Sequence, residues 1–245
     1  MGRAAASLAF LALVSSLSAA ASEPLVVVGA FSADARGATL PSGWQALNFM
    51  KIPRHTLYEL VADDGLTVLR ANANASASAL AKPVALDPKT YPVLRWRWKV
   101  ANLIEKADPS KRSGDDYSAR IYVTFKQDAK RENLVERARA AAARALYGVE
   151  PPFTSLDYIW ERQLPKGTII PNAYTDRVRM IVVETGPDKV GQWVAEERNV
   201  YEDYKRAFGA EPPAISGIAI MTDSDNTGES ATAYYGDISF HRAEP

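Results

Sequence analysis

The stretch from Leu94 to Phe125 constrains this chain more than any other. Leu94, Trp96, Trp98 and Val100 alternate with Arg95, Arg97 and Lys99, and further on Ala119, Ile121, Val123 and Phe125 alternate with Arg120, Tyr122 and Thr124. Strict period-two patterning is the mark of a β-strand, because successive side chains point to opposite faces. Each run therefore predicts a strand with one apolar face in a core, Trp96 and Trp98 included. The other face holds arginines and a tyrosine, long groups able to hydrogen-bond. The segment between the runs, Ala101–Tyr117, is a long charged loop carrying Lys106, Asp108, Lys111, Arg112, Asp115 and Asp116.

The remaining patterns extend the same theme. Leu25–Val28 reads as an early strand, and Leu57–Val61 and Leu66–Ala71 flank Asp63-Asp64-Gly65, a hairpin signal. Alternating strands are predicted again at Ser155–Glu161, Thr168–Ile170, Arg177–Glu184, Gln192–Glu197, Ile215–Thr222 and Ala233–Phe240. Two segments change period. Lys130–Tyr147 places Leu134, Ala138, Ala141, Ala142 and Ala145 on one helical stripe before Gly148 and Pro151-Pro152. A shorter helix is expected where Val200, Tyr201, Tyr204, Ala207 and Phe208 precede Gly209. Many short strands with regular turn signals predict one all-β sandwich domain over residues 22–245 with two helical excursions.

The N-terminus predicts export. Arg3, the apolar run Leu8–Leu17 and the small residues Ala19-Ala20-Ala21 make a signal peptide over residues 1–21, too short to span a bilayer. The expected location is the periplasm or the outside of the cell, with no transmembrane segment after cleavage. The chain has no cysteine, which removes disulfides, thiol catalysis and thiolate metal sites. Beyond the leader, 28 basic residues face 29 acidic ones, a balance with no general attraction for nucleic acid. With only His55 and His241 and no Gly-x-Ser-x-Gly elbow, neither a serine triad nor a histidine-rich zinc site is supported.

Several of these segments together resemble a known family: Trp96-Arg97-Trp98-Lys99, Asp115 to Tyr122, Tyr158-Ile159-Trp160, Ile218 to Gly228, and Tyr234-Tyr235-Gly236-Asp237-Ile238. The chain from about Phe31 to Phe240 is similar to the bacterial domain-of-unknown-function family 3047. The resemblance implies an exported, antiparallel, jelly-roll-like β-sandwich similar to carbohydrate-binding modules. It implies no catalytic residues, and the Lys130–Tyr147 helix looks like an insertion.

Three kinds of chemistry are open. Arg97, Arg120, Tyr122 and Tyr158 are expected to share a sheet face that recognises a glycan or small polar ligand, with Asp116, Asp225, Asn226 and Tyr235 nearby; Tyr174 and Tyr234 are further ring candidates. Guanidinium groups on such a face suit an anionic glycan or carboxylate. Alternatively Asp116 and Asp225 form the paired carboxylates of an envelope glycan hydrolase or lyase, with Arg120 as the basic partner. The run Asp223-Ser224-Asp225-Asn226-Thr227-Gly228 offers Asp223 and Asp225 as ligands for Ca²⁺, although Thr227 and Tyr234 stand where an EF-hand loop would place an oxygen ligand and a bidentate Glu. The third possibility is a structural protein docking through the Lys130–Tyr147 helix.

Overall fold

In the computed structural model, residues 25–38, 40–126 and 154–243 are described. The expected leader and the expected helix at Lys130–Tyr147 lie outside those residues. The strands are β1 (Leu25–Gly29), β2 (Gln45–Leu47), β3 (Leu57–Asp63), β4 (Leu66–Asn74), β5 (Ala79–Leu86), β6 (Val93–Val100) and β7 (Arg120–Phe125). They continue with β8 (Thr154–Glu161), β9 (Ile169–Pro171), β10 (Val178–Thr185), β11 (Val194–Asn199), β12 (Ile215–Met221) and β13 (Ser230–His241); helix α1 is Val200–Phe208. They form two sheets of a jelly-roll-like sandwich. The first runs β11-β6-β13-β4-β3, with β1 also on β13; the second runs β2-β5-β12-β7-β8-β10-β9.

The alternation in β6 and β7 explains how the sheets meet. Trp96 and Trp98 are 3% and 0% exposed, and Ile121, Val123 and Phe125 come from the facing sheet into the same core. The Trp96 ring lies 5.4 Å from that of Tyr158 and the Trp98 ring 6.1 Å from that of Trp160, so an aromatic ladder bridges the two layers. Such tilted pairs add to the area term of burial. The β3–β4 hairpin turns on Asp64 and Gly65, both at positive φ (49° and 77°), as a two-residue turn matched to strand twist requires.

One pairing departs from the antiparallel rule. β10 runs parallel to β8, from Val178 opposite Ser155 to Thr185 opposite Glu161, because the connection between them first lays down β9 antiparallel to β10. Helix α1 follows its local signals. The Asn199 side chain accepts the Glu202 N–H at 3.0 Å, and Gly209 closes the C-terminus in the left-handed conformation (φ 66°). Its Tyr204 ring packs 4.5 Å from Phe125 and closes one end of the core.

Replacing Trp98 by Ala should remove the middle of the aromatic ladder and cost about 3–5 kcal/mol in equilibrium denaturation. The Trp98 indole N–H has no partner among the described residues, so Trp98→Phe should cost clearly less. Equal losses in the two variants would contradict this packing.

Candidate functional site

Arg120 opens β7, and its parity sends it to the side of the second sheet away from the sandwich core. It is nonetheless 2% exposed. Its Nη2 donates to Asp223 Oδ2 at 2.8 Å and to the Asp115 carbonyl at 2.6 Å; its Nη1 donates to the Tyr122 hydroxyl at 2.9 Å and lies 3.6 Å from Asp157. The Tyr117 ring covers the guanidinium at 4.2 Å. Asp116 lies beside this cluster and acts as a staple for the 223–228 loop. It accepts the Asn226 side-chain amide at 3.1 Å and the backbone N–H groups of Asn226 and Thr227 at 3.3 and 2.6 Å. Asn226 is fixed from outside by the Tyr174 hydroxyl at 2.5 Å.

The electrostatics follow from five carboxylates, Asp115, Asp116, Asp157, Asp223 and Asp225, gathered around one buried guanidinium. Burial pushes the Asp157 carboxyl up to about 8 even with Arg120 beside it, and Asp115 adds to the rise. Burial likewise raises Asp223, Asp115 and Asp225, with neighbouring aspartates reinforcing each. Neither Asp157 oxygen has a hydrogen-bond partner among the described residues. This is the environment of a carboxyl group that keeps its proton.

The sequence-predicted residues therefore divide. Asp116, Arg120, Tyr122, Asp225 and Asn226 do converge, and Tyr235 reaches the cluster from the other sheet: its hydroxyl donates to the Met221 carbonyl at 2.8 Å and receives the Arg120 N–H at 3.3 Å. Arg120 and Tyr235 are corrected as ligand-facing groups, however, because both are buried and their polar atoms serve the fold. Tyr158 is corrected too. It shares the inward parity of Trp160, is fully buried, and donates to Asp203 on α1 at 3.0 Å. The expected single face of Arg97, Arg120, Tyr122 and Tyr158 does not exist, since Arg97 lies on the outer side of the first sheet, Arg120 and Tyr122 on the second sheet, and Tyr158 between them.

Asp116, Asp223 and Asp225 each place one oxygen within 4.8 Å of the others, and these would be the ligands of a cation. Ca²⁺ takes six to eight oxygens. Here both Asp116 oxygens already receive N–H groups, and the Arg120 guanidinium stands against Asp223 as positive charge. The same short separation would suit a retaining hydrolase, for which carboxyl groups lie about 5–5.5 Å apart, but Asp116 is fully buried. A cleft of about 780 Å³ opens nearby, between residues 105–110 and 161–173, and neither Asp223 nor Asp225 lines it. Its acids are engaged: Asp108 by Ser110 and Lys111, Glu161 by the N–H groups of Gln163 and Leu164, Glu105 by Arg162.

The outer face of the first sheet is different in kind. Glu59 on β3, Arg70 on β4, Tyr234 on β13 and Lys99 on β6 stand opposite one another in register and form one transverse row. Trp193, just before β11, continues it, with Lys99 Nζ 5.3 Å from its ring and 4.5 Å from that of Tyr234. Asp63 orders the end of the row by accepting Lys99 Nζ at 2.7 and 2.6 Å and the Trp193 indole N–H at 2.7 Å. Partial burial opposes the charged Asp63, yet these hydrogen bonds outweigh it and hold the carboxyl below its ordinary value. In the next row the Arg97 guanidinium lies 4.5 Å over the Trp193 ring. Of the five tryptophans, four are buried and Trp193 alone is partly exposed. Outward parity announced Arg97 and Lys99, but the tie from Asp63 to Trp193 spans 130 residues and has no local signal.

The family model for DUF3047, a protein of unknown function, matches residues 42–239, and the chain belongs to that family. No curated protein matches it. Among solved structures, the chain is similar to a family 11 carbohydrate-binding module of a cellulosomal cellulase of Clostridium thermocellum, at 9% identity and a TM-score of 0.45, covering 91% of this chain and 97% of that one. It is similar to a family 30 carbohydrate-binding module of another cellulosomal cellulase of that organism, at 10% identity and TM-score 0.40, covering 90% and 99%. A family 29 module complexed with mannohexaose follows at 11% identity and TM-score 0.37, covering 89% and 91%.

The buried aspartates give the protein a distinctive pH response. A carboxyl raised from about 4 in the unfolded chain to about 8 when folded binds its proton more tightly in the native state. Its contribution to stability is therefore present at mildly acidic pH and is lost as pH rises through that window. Melting temperature should fall between about pH 5 and pH 8, and Asp157→Asn should flatten the decline. An unchanged slope in that variant would show that Asp157 is ionised in the native protein.

Proposed function

We propose that this chain is a non-catalytic binding module for a glycan or similar polar ligand, and that the outer face of the first sheet is the binding surface. The observation that carries this reading is the row Glu59–Arg70–Tyr234–Lys99–Trp193. It crosses four strands and ends at the residue preceding a fifth, about 19 Å at the usual strand spacing. Both rings are partly exposed and held by neighbouring charges, so little side-chain entropy remains to be lost when a flat ligand stacks on them. Aromatic faces supply apolar contact to a sugar ring while the flanking Arg, Lys and Glu groups meet its hydroxyls.

The carboxylates of this face among the described residues are engaged: Glu59 pairs with Arg70, Asp63 with Lys99 and Glu197 with Arg95, and Asp237 accepts the Ser32 N–H and hydroxyl. None stands ready to transfer a proton, which is why binding is favoured over hydrolysis. The hydrolase alternative is weakened at its own residues, because Asp116 is committed to the 223–228 loop. We further propose that the protein acts in the cell envelope or outside the cell, a reading supported by the leader pattern of residues 1–21. No helix among the described residues is long and apolar enough to cross a membrane.

A panel of neutral and charged oligosaccharides tests the surface. Saturable binding measured by calorimetry is expected for at least one class, lost on Trp193→Ala and strongly weakened on Tyr234→Ala. Binding that survives both substitutions would move the site elsewhere.

A further inference from the structure

Arg97 stands apart from the other cations of the first sheet's outer face. Arg95 pairs with Glu197, Arg70 with Glu59 and Lys99 with Asp63. Asp237, next to Gly236 on β13, is occupied by Ser32 through both its oxygens. Arg97 has neither an ion-pair nor a hydrogen-bond partner among the described residues; Asp63 acts on it only through space, so its guanidinium N–H groups are uncommitted. Nor is this guanidinium loose. One side lies on the Trp193 ring at 4.5 Å, and that ring is itself fixed by Asp63. The stem crosses β13 at Gly236, where an added Cβ would stand 2.5 Å from Arg97 Cγ and 2.6 Å from Nε. A glycine at that position leaves room for the side chain to lie flat against the sheet.

We infer that this surface selects carboxylated glycans, of the uronic acid type, with Arg97 taking the sugar carboxylate while the ring rests against the Trp193–Tyr234 row; this rests on the proposed glycan-binding reading. The chemistry argues for a carboxylate in particular. A planar guanidinium donates two parallel hydrogen bonds to a carboxylate, and a guanidinium with no direct protein partner offers both of them to the ligand. Neighbouring Lys99 and Arg70 are already neutralised and leave no second cation for a phosphate dianion. Pre-positioning on Trp193 and Gly236 lowers the ordering cost that a free surface arginine would meet on binding.

The test compares an oligogalacturonate with the same oligomer after carboxyl reduction, using calorimetry and the fluorescence of Trp193, the one partly exposed tryptophan. The acidic oligomer should bind with saturable quenching, more weakly as salt is raised. Arg97→Ala should reduce its affinity roughly tenfold or more, as expected for loss of a charge-assisted hydrogen bond. Arg97→Lys should recover only part of that loss, and Gly236→Ala should mimic it by displacing the Arg97 stem, with melting curves confirming that each variant folds. Equal affinity for the reduced oligomer, full binding in Arg97→Ala, or competition by inorganic phosphate at the same concentration as free galacturonate would each overturn the carboxylate assignment while leaving glycan binding intact. If neither these oligomers nor the neutral panel binds, the glycan reading itself fails and takes this inference with it.

Discussion

Everything in this molecule depends on the division of β6 into two chemistries. Trp96 and Trp98 must leave water, and in doing so they set Arg95, Arg97 and Lys99 on the opposite surface of the same strand. Burying two indoles against Tyr158 and Trp160 supplies a large apolar contact between the sheets. The same geometry forbids the charged side chains from reaching the interior, because a shift of one residue in register would exchange the faces. A rigid core is thus the reason a row of charges and rings can be held in fixed order on the outside.

The Arg120 cluster solves a different problem. It ties the start of β7 to the 115–117 and 223–227 segments, and Tyr235 adds a link from the first sheet. A buried ion network of this kind gives little net stability after desolvation, although removing one partner leaves an uncompensated buried charge and is costly. Excess carboxylate around a single guanidinium also makes the arrangement sensitive to protons. Its side chains are buried, whereas those of the outer sheet face remain partly in water. That difference in accessibility, more than residue type, separates the structural constellation from the ligand-facing one.

Much of the fold was legible in the chain. The strands β3, β4, β6 to β8 and β10 to β13 follow alternating patterns, the Asp64-Gly65 turn and the Gly209 cap follow local chemistry, and the burial of Trp96 and Trp98 follows from parity, whereas β5 carries Pro83 and a run of small residues and has no such pattern. The parallel β8–β10 pairing was not legible, because pairing direction depends on how the 162–177 connection crosses the sheet. At the candidate site, the meeting of Asp116, Arg120, Asp225 and Asn226 agreed with two polar loops flanking strands. Their burial could not be read locally, since an outward-facing residue may still be covered by distant chain. Tyr158 follows the parity of Leu156 and Trp160 into the core, where its phenol finds Asp203, a partner with no local sequence signal. Trp193 and Gly236 gained significance only when Asp63 and Arg97 were seen beside them.

On this reading the charged and aromatic outer face of β6 and its neighbours is the working surface. The most direct measurement is a nitrogen–proton correlation spectrum of the labelled protein titrated with an acidic oligosaccharide. Of five indole resonances, that of Trp193 should move while those of the four buried tryptophans stay, with backbone shifts centred on Arg97, Lys99 and Tyr234. Shifts gathered instead around Asp225, Asn226 and Tyr174, or along the cleft at 105–110 and 161–173, with the Trp193 indole unmoved, would contradict it.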